Sequence, residues 1–481
     1  GTWVAMAAGL LSKSTTITLP AALLLLDVFV LSGRDLQLVG RRFVTRHLPG
    51  WIVAAAYLMI VSGNGWLGRS LAQQVRGPWE QGLTQLKAFV YYLVLLVTPL
   101  HQSVEPQFAE QAAFGAEVGL PLLLLLSLLV GAVWLARSGR WRALFLLSWV
   151  VLHLLPTTVV PLNVLVNERR AYGPLAILCV GAGILLASVR RERVVRVLAV
   201  LGCVILGLLS VERSRVWADE FSLWSDATRT APRMSRTHLY LGNAHKDAAQ
   251  HEVNPATAER HWQAADLAYG RAYEEARELD LQLRALNNRG GVRLQMGVQL
   301  FYQDRARARV EFLAAEKHFQ EAVQRNPAYA DALVNLGNVT IMSARAATSR
   351  GESEALLRRS IAYNTEALRL RPNHSQAYSN LGVVYQDLGE FDSAINAYQQ
   401  ALRLTPGDWL TMKNLASLLY HSTPAELVPE LGPGQRDVVR ARLAESRTLI
   451  RRALRLNPAV PNGQDLLQAI ETRLQSLPQE G

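Results

Sequence analysis

Residues 375–408 read SQAYSNLGVVYQDLGEFDSAINAYQQALRLTPGD, and the order of small and large residues in this stretch predicts two packed antiparallel helices. Gly382 and Ala394 are small, which lets the two helices approach each other closely. Pro406 lacks the backbone N–H that a continuing helix needs, so it ends the unit. Larger residues fill the seam between the helices: Tyr378, Leu381, Tyr385 and Tyr398.

The stretch resembles one complete tetratricopeptide repeat, a unit of about 34 residues in which a helix A is followed by a helix B. The residues at the characteristic positions of this repeat are Tyr378, Leu381, Gly382, Tyr385, Ala394, Tyr398, Ala401 and Pro406. Further copies start near Ser235, Leu283, Ala330 and Trp409, and a half-repeat from Trp217 to Pro232 precedes them. Repeats 1, 2, 3 and 5 exceed the usual length by about 11 to 18 residues. We expect the extra residues to form longer helices or tip loops between helix A and helix B.

The first half of the chain is much more apolar than the second. Residues 1–211 carry 17 Lys/Arg and 8 Asp/Glu within long apolar runs, whereas residues 212–481 carry 33 and 31. Most of the net charge of +11 therefore lies in the apolar half. This argues against nucleic acid as a partner, because nucleic-acid binding needs a basic stripe on a soluble face. Segments suited to crossing a membrane are predicted at 15–31, 48–63, 84–100, 118–136, 143–156, 172–189 and 196–211.

These patterns predict an all-α fold with three parts. Residues 1–211 are expected to form a polytopic transmembrane helix bundle, and residues 212–464 a superhelix of tetratricopeptide repeats. A capping helix, Leu466–Leu477, is expected within residues 465–481, because a terminal repeat cannot leave its apolar face open to water.

The positions of the arginines predict an orientation in the membrane. Three connections are rich in arginine, which is typical of cytoplasmic loops: 34–46, 137–142 and 190–196. Loops 101–117 and 157–171 would then lie on the other side. The protein is thus expected to be integral to the inner or plasma membrane, with its repeats on the non-cytoplasmic side. The count of spans requires that either 48–63 or 84–100 is re-entrant or lies along the interface, and the sequence leaves this choice open.

Three segments resemble a known family of membrane proteins. They read LLSKSTTITLPAALLLLDVF (10–29), PLNVLVNERRAYGPLAILCVGAGILLA (161–187) and SRVWADEFSLWSDATRTAPRMSRTHLYLGNAHKD (214–247). Similar segments, in the same order, characterise the transmembrane and tetratricopeptide repeat O-mannosyltransferase family and its bacterial relatives. The chain departs from that family at Ser14, where the family has an acidic residue. It departs again at 171–174, which read Ala-Tyr-Gly-Pro instead of Leu-Tyr-Leu-Pro.

The resemblance implies an integral membrane glycosyltransferase, a hexosyltransferase. Such an enzyme would transfer a sugar from a polyprenyl-phosphate-sugar donor to Ser/Thr of an exported protein, and the repeats would hold this acceptor. The resemblance also implies that the catalytic acidic residues lie in a first outer loop. That loop would precede Gly1, so the chain is expected to be the C-terminal portion of the enzyme, with catalytic residues unknown. The rival hypothesis is a membrane-anchored repeat scaffold for protein–protein interaction without catalytic activity.

Candidate residues for the donor phosphate lie at two helix ends. Arg169 and Arg170 stand beside Glu168 and Tyr172 at an outer helix edge, and a guanidinium group binds phosphate oxygens bidentately. The alternative is that these arginines anchor the helix at the membrane interface. Lys13 follows a helix end and either meets a phosphate or extends its amine to the interface.

Other ionisable residues in the apolar half have less specific interpretations. Asp27 lies within an apolar segment, where an ionisable group faces a partner or a wet cavity. A structural hydrogen bond to a neighbouring helix and a chemical role are equally compatible with its position. His101 and His153 lack the spacing of metal ligands and are interpreted as structural. No metal site and no cofactor are predicted, and a divalent metal is left open.

Asparagine recurs at position 6 of helix A in repeats 2 to 5. The four residues are Asn288, Asn335, Asn380 and Asn414. A primary amide both donates and accepts hydrogen bonds, so it can pair with a peptide backbone irrespective of the side chains that the peptide carries. The pattern is similar to the asparagine ladder of O-linked N-acetylglucosamine transferases. It predicts that the groove binds a protein or peptide, although asparagines that merely cap neighbouring helices would give the same pattern.

Overall fold

The computed structural model describes residues 2–12, 17–33, 35–63, 77–98, 102–159, 165–166, 168–187, 189, 192–423 and 433–477. In this part of the chain every regular element is helical and no strand occurs, which confirms the predicted all-α fold. Residues 1–237 and 238–481 form two compact units. The predicted domain boundaries at 211 and 464 stay predictions.

The first unit consists mainly of apolar helices. Its α-helices are α1 (Thr2–Ser12), α2 (Leu19–Leu26), α3 (Leu36–Arg42), α4 (Leu48–Gly63), α5 (Pro78–Val97), α6 (Ala116–Arg137), α7 (Trp141–Val159), α8 (Tyr172–Ala187), α9 (Glu192–Val216) and α10 (Glu220–Thr230). Among the described residues, three helical stretches are long and apolar enough to cross a membrane: Leu36–Gly63, Ala116–Arg137 and Arg193–Val216. The most apolar part of Arg193–Val216 has no residue buried inside the structure.

The predicted connection at 34–46 is largely helical in the structure. Asp35 begins α3 because its side chain accepts hydrogen bonds from two backbone N–H groups of the first turn, both at 3.0 Å. Pro49 is the first proline after Asp35. It lies just after a widened, π-helical turn, Phe43–His47. A proline ring cannot sit against a regular α-helical turn, so the widened turn lets the helix continue. Arg41, Arg42 and Arg46 therefore lie on one long helix, Leu36–Gly63, whereas Arg34 lies outside the described residues.

The core of the first unit joins α5, α7 and the start of α8. Tyr92 is fully buried on α5, and the ring of Phe108, from the loop that follows α5, packs into the same cluster. This loop is also tied to the segment after α10. The Thr230 hydroxyl donates to the Ser103 hydroxyl at 2.9 Å, and the backbone N–H of Arg233 donates to the Gln107 side chain at 3.0 Å. The loop thus links the apolar core to the half-repeat.

Paired helices continue from the end of the first unit through the second. The A helices are α11 (Ser235–His251), α13 (Leu279–Leu300), α15 (Ala330–Ala346), α17 (Ser375–Leu388) and α19 (Trp409–His421). The B helices are α12 (Pro255–Glu275), α14 (Arg305–Arg325), α16 (Arg350–Leu370), α18 (Phe391–Leu404) and α20 (Pro433–Leu456), and α21 (Gly463–Ser476) follows them. In repeats 1 to 3 the extra residues lengthen the helices, since α12, α14 and α16 have 21 residues each and α18 has 14.

A glycine in helix A allows the two helices of repeats 1 to 4 to pack closely. A Cβ atom built on Gly382 would lie 2.5 Å from the ring of Tyr398, a distance at which any side chain on helix A would displace the ring. The same contact joins Gly242 to Tyr269 and Gly290 to Phe319. All three rings are fully buried. Gly242, Gly290 and Gly382 are therefore packing residues, each paired with an aromatic ring of helix B.

Repeat 3 replaces this ring with an amide. A Cβ on Gly337 would lie 2.1 Å from Nδ2 of Asn364, which is fully buried. Asn364 donates to the Ser360 carbonyl at 2.8 Å, and the Ser360 hydroxyl donates to the Gly337 carbonyl at 2.8 Å. Asn364 Oδ1 accepts from Asn380 at 3.1 Å. Hydrogen bonds therefore offset the cost of burying polar atoms where repeats 1, 2 and 4 bury a ring.

Helix α21 covers the end of the repeat array. Ile470 of α21 is fully buried in a cluster with Ile450 and Ala453 of α20 and with Met412 of α19. Arg473 donates to the carbonyls of Tyr420 and Thr423, at 3.1 and 2.7 Å, which fixes the helix to the end of α19.

Candidate functional site

The A helices of successive repeats form a continuous layer. α13 contacts α15, α15 contacts α17, and α17 contacts α19. Residues at equivalent positions on these helices therefore follow one another along the array. The asparagines singled out by the sequence lie in this layer.

Two of these asparagines pair with a second asparagine on the preceding A helix. Asn288 Nδ2 donates to Asn243 Oδ1 at 3.4 Å, and Asn335 Nδ2 donates to Asn287 Oδ1 at 2.8 Å. All four side chains are partly exposed. Asn243 Oδ1 also accepts from the Tyr269 hydroxyl at 2.7 Å, so its Nδ2 is the group left for further bonds. An amide has two N–H donors and an oxygen with two lone pairs, so the other three side chains keep the capacity for further hydrogen bonds.

Sequence reasoning missed Asn243 and Asn287 because it considered position 6 alone. Asn287 stands at position 5 and Asn243 at position 9. On a helix, residues three or four apart share a face, so position 9 is a neighbour of both position 5 and position 6. A search for amides at all three positions would have found both residues.

Asn380 and Asn414 are placed differently from each other. Asn380 is buried, and its Nδ2 donates to the Val334 carbonyl and to Asn364 Oδ1, both at 3.1 Å. Its Oδ1 accepts from the Gln376 side chain at 3.1 Å. The amide of Asn380 is therefore used within the protein. Asn414 is partly exposed on α19, and its side chain forms no hydrogen bond to any residue that the structure describes.

A charged cluster joins repeats 1 and 2. Asp266 of α12 accepts hydrogen bonds from Arg289 at 2.9 Å and from Arg293 at 2.6 Å, and Arg293 also donates to Glu311 at 3.0 Å. Burial alone would raise the pKa of Asp266, but the bonds from the two arginines outweigh it and hold the pKa below its usual value. Burial, helped by the charge of Arg289, lowers the pKa of His318 to about 4. These charges are neutralised within the repeats.

Of the candidates for a donor phosphate, Arg170 is the one whose side chain the structure describes. Residues Glu168–Ala171 form a 3₁₀ turn that leads into α8. The guanidinium of Arg170 donates to the Leu165 carbonyl at 3.2 Å and to the Tyr92 hydroxyl at 3.4 Å. The side chains of Glu168, Arg169 and Tyr172 lie outside the described residues, as do Lys13 and His101.

Asp27 has a structural partner that the sequence did not reveal. Both residues of the pair are buried, and His47 Nε2 lies 2.8 Å from Asp27 Oδ2. The other oxygen of Asp27 accepts from the Ser32 hydroxyl at 2.6 Å. Asp27 begins the π-helical turn Asp27–Leu31, and His47 ends the turn Phe43–His47. His153, by contrast, contacts Trp149 and fills the space above Gly173, which is a packing role.

Comparison with known proteins identifies the repeat. The family description "Tetratricopeptide repeat" matches residues 375–408. These residues are a tetratricopeptide repeat. Tetratricopeptide repeats indicate a protein-interaction scaffold, and a protein or peptide partner fits this kind of fold.

Several solved structures of tetratricopeptide repeat proteins are similar to this chain. A thermophilic TPR protein from Thermus thermophilus has 21% identity over 50% of this chain and 99% of its own, with a TM-score of 0.36. PilF of Pseudomonas aeruginosa has 17% identity over 56% and 94%, with a TM-score of 0.34. YrrB, described as a TPR protein with an unusual peptide-binding site, has 13% identity over 52% and 97%, with a TM-score of 0.29.

Proposed function

We propose that the tetratricopeptide repeats bind an extended polypeptide along their A helices and that the apolar helices hold this scaffold in a membrane. The observation that carries the proposal is the line of partly exposed amides formed by Asn243, Asn287, Asn288 and Asn335. Amides of this kind pair with a peptide backbone, which every polypeptide presents. Asn414 extends the line to the last repeat, whereas Asn380 supports the core.

The experiment compares two sets of asparagine variants in the full chain. The first replaces Asn288, Asn335 and Asn414 with alanine, and the second replaces Asn396, which is exposed on the B helix α18. The probe is labelled, reduced and carboxymethylated α-lactalbumin, a permanently unfolded polypeptide, with binding measured by fluorescence anisotropy. Three lost hydrogen bonds of about 1 kcal/mol each should weaken binding by at least about tenfold.

The control variant Asn396→Ala should bind like the wild type, and circular dichroism should show unchanged helicity in both sets. Wild-type affinity in the triple variant would remove the amides from the binding surface. Absence of binding by the wild-type chain would remove the proposed function itself.

We also propose a second function, in which this scaffold is the C-terminal portion of a membrane glycosyltransferase that uses a polyprenyl-phosphate sugar. The support is the sequence resemblance together with the position of Arg170, whose guanidinium stands in a 3₁₀ turn at the start of α8. On this hypothesis Arg170 binds the donor phosphate and the repeats hold the Ser/Thr acceptor. The displacement itself would need a carboxylate base that the sequence does not identify.

The second function is tested by thermal unfolding in detergent with and without a polyprenyl phosphate. A ligand that binds only the folded state raises the unfolding temperature. The rise should be seen in the wild type and in Arg137→Gln, whose changed residue ends α6, and should be lost in Arg170→Gln. An equal rise in all three proteins, or no rise in any, would contradict a phosphate site at Arg170.

A further inference from the structure

The last long helix of the chain is unusually basic. α20 carries seven arginines against Asp437 and Glu445, whereas residues 212–423 carry 25 Lys/Arg and 24 Asp/Glu. The rest of the repeat half is almost neutral, so the positive charge is concentrated on this helix. Packing of the helix does not by itself require so many arginines. Part of that charge converges at one place on the helix surface.

Three of these arginines line one side of a groove between α20 and α21. They are Arg440, Arg447 and Arg451, and the opposite side is formed by Glu471, Leu474 and Leu477. The groove has a volume of about 560 Å³. The lining is therefore mainly polar: it combines three guanidinium groups with one carboxylate and the amide of Gln475, beside Leu474 and Leu477.

Among the residues that the structure describes, one guanidinium of the groove has no carboxylate partner. Arg451 forms an ion pair with Glu471, and Arg440 lies 3.9 Å from Asp437. Arg447, which is partly exposed between them, forms no ion pair with any residue that the structure describes. The centre of the groove is therefore cationic, and an anionic group placed there would meet a guanidinium that has no carboxylate partner.

We propose that this groove binds an acidic peptide segment of a protein partner. Arg447 and Arg451 are four residues apart, or about 6 Å along the helix, a spacing that two acidic side chains on one face of a peptide can match. A groove of about 560 Å³ is much larger than a small inorganic anion needs, and it can accommodate several residues of a peptide. Arg447 meets one carboxylate of the peptide directly, and a second carboxylate competes with Glu471 for Arg451. This proposal does not depend on the asparagine line of the A helices.

The test uses a labelled oligoglutamate peptide and the full chain in detergent at low ionic strength, where charge effects are not screened. An oligoglutamine peptide of equal length controls for charge. Arg447→Glu should weaken oligoglutamate binding about tenfold. The matched control is Arg455→Glu, which places the same charge change on an exposed position of the same helix outside the groove and should weaken binding less than twofold. Glu471→Gln should strengthen binding, because it releases Arg451.

Two outcomes would overturn the proposal. Equal weakening in Arg447→Glu and Arg455→Glu would mean that the helix attracts anions without a defined site. Stronger binding of inorganic phosphate or of a single-stranded oligonucleotide than of oligoglutamate would assign the groove to a different ligand. The strengthening expected in Glu471→Gln remains a valid test if Arg447→Glu disturbs folding.

Discussion

Repeats 3 and 4 share one backbone arrangement and fill it with opposite chemistry. In repeat 4 the ring of Tyr398 covers Gly382, and in repeat 3 the amide of Asn364 covers Gly337. Both side chains are fully buried. The ring is stabilised by leaving water, whereas the amide is tolerated because its neighbours supply hydrogen bonds. The glycine therefore sets how closely helices A and B pack, and the residue opposite it can be apolar or polar.

The amide in repeat 3 also changes the role of a residue in repeat 4. Asn380 occupies the same repeat position as Asn335, but it donates to Asn364 and is buried. A position that is partly exposed in one repeat is therefore part of the core in the next. Repeat position alone does not separate binding residues from structural ones.

The largest expected effect is in repeat 4. Tyr398→Ala should lower the free energy of unfolding by about 4 kcal/mol, because it removes a buried ring and leaves a cavity between helices A and B. Chemical denaturation of the full chain measures the loss. Tyr302→Ala is the control, since Tyr302 is 94% exposed, and it should change stability by less than about 0.5 kcal/mol. Similar losses in the two variants would refute the packing role of the ring.

An intermediate effect is expected in repeat 3. Asn364→Leu should cost about 2 kcal/mol, because it leaves Asn380 with an unsatisfied buried N–H group. The double variant Asn364→Leu with Asn380→Leu should cost less than the sum of the two single variants, since both polar partners are then removed. Denaturation of the three variants completes the cycle. Additive losses would mean that the hydrogen bond between the two amides contributes little.

The smallest effect is a difference in pH dependence between repeats. The network of Asn364, Ser360 and Asn380 contains no titratable group, so the cost of Asn364→Leu should be the same at pH 7 and pH 4.5. His318 in repeat 2 has a folded-state pKa lowered to about 4, and its neutral form is favoured by folding. The unfolded chain therefore binds more protons between about pH 6.5 and 4, and stability falls as the pH is lowered through this range.

His318→Gln should remove that part of the decline, of the order of 1 kcal/mol. The measurement is the denaturation midpoint of the wild type and the variant across this pH range. A parallel decline in both proteins would assign the pH dependence to other groups. If the loss of stability in Asn364→Leu depended on pH, a titratable group would have to interact with the network of Asn364, Ser360 and Asn380.

The sequence predicted the repeats well because their signal is local. Gly382 and Tyr398 lie 16 residues apart, and the spacing of small and large residues encodes their contact directly. The partner of Asp27 was not predictable in this way, because nothing near Asp27 in the sequence points to His47. Asn364 was not predictable either. The repeat pattern predicts a large residue at its position and gives no indication of a hydrogen-bond network. The helix at 36–46 was not predicted, because its arginines were interpreted as the sign of a cytoplasmic loop. The absence of a proline between residues 36 and 46 should have favoured a helix.

The pairing of Asp27 with His47 bears on how the chain is made. The two residues are 20 positions apart, so at about 5–20 residues per second a ribosome delivers the imidazole roughly 1–4 s after the carboxylate. In that interval Asp27 has no His47 to pair with, and a lone carboxylate in hydrocarbon is costly. On the proposed anchoring in a membrane, helix α2 would therefore wait beside the insertion machinery until α3 emerges, so that the two could enter the lipid together as a hairpin.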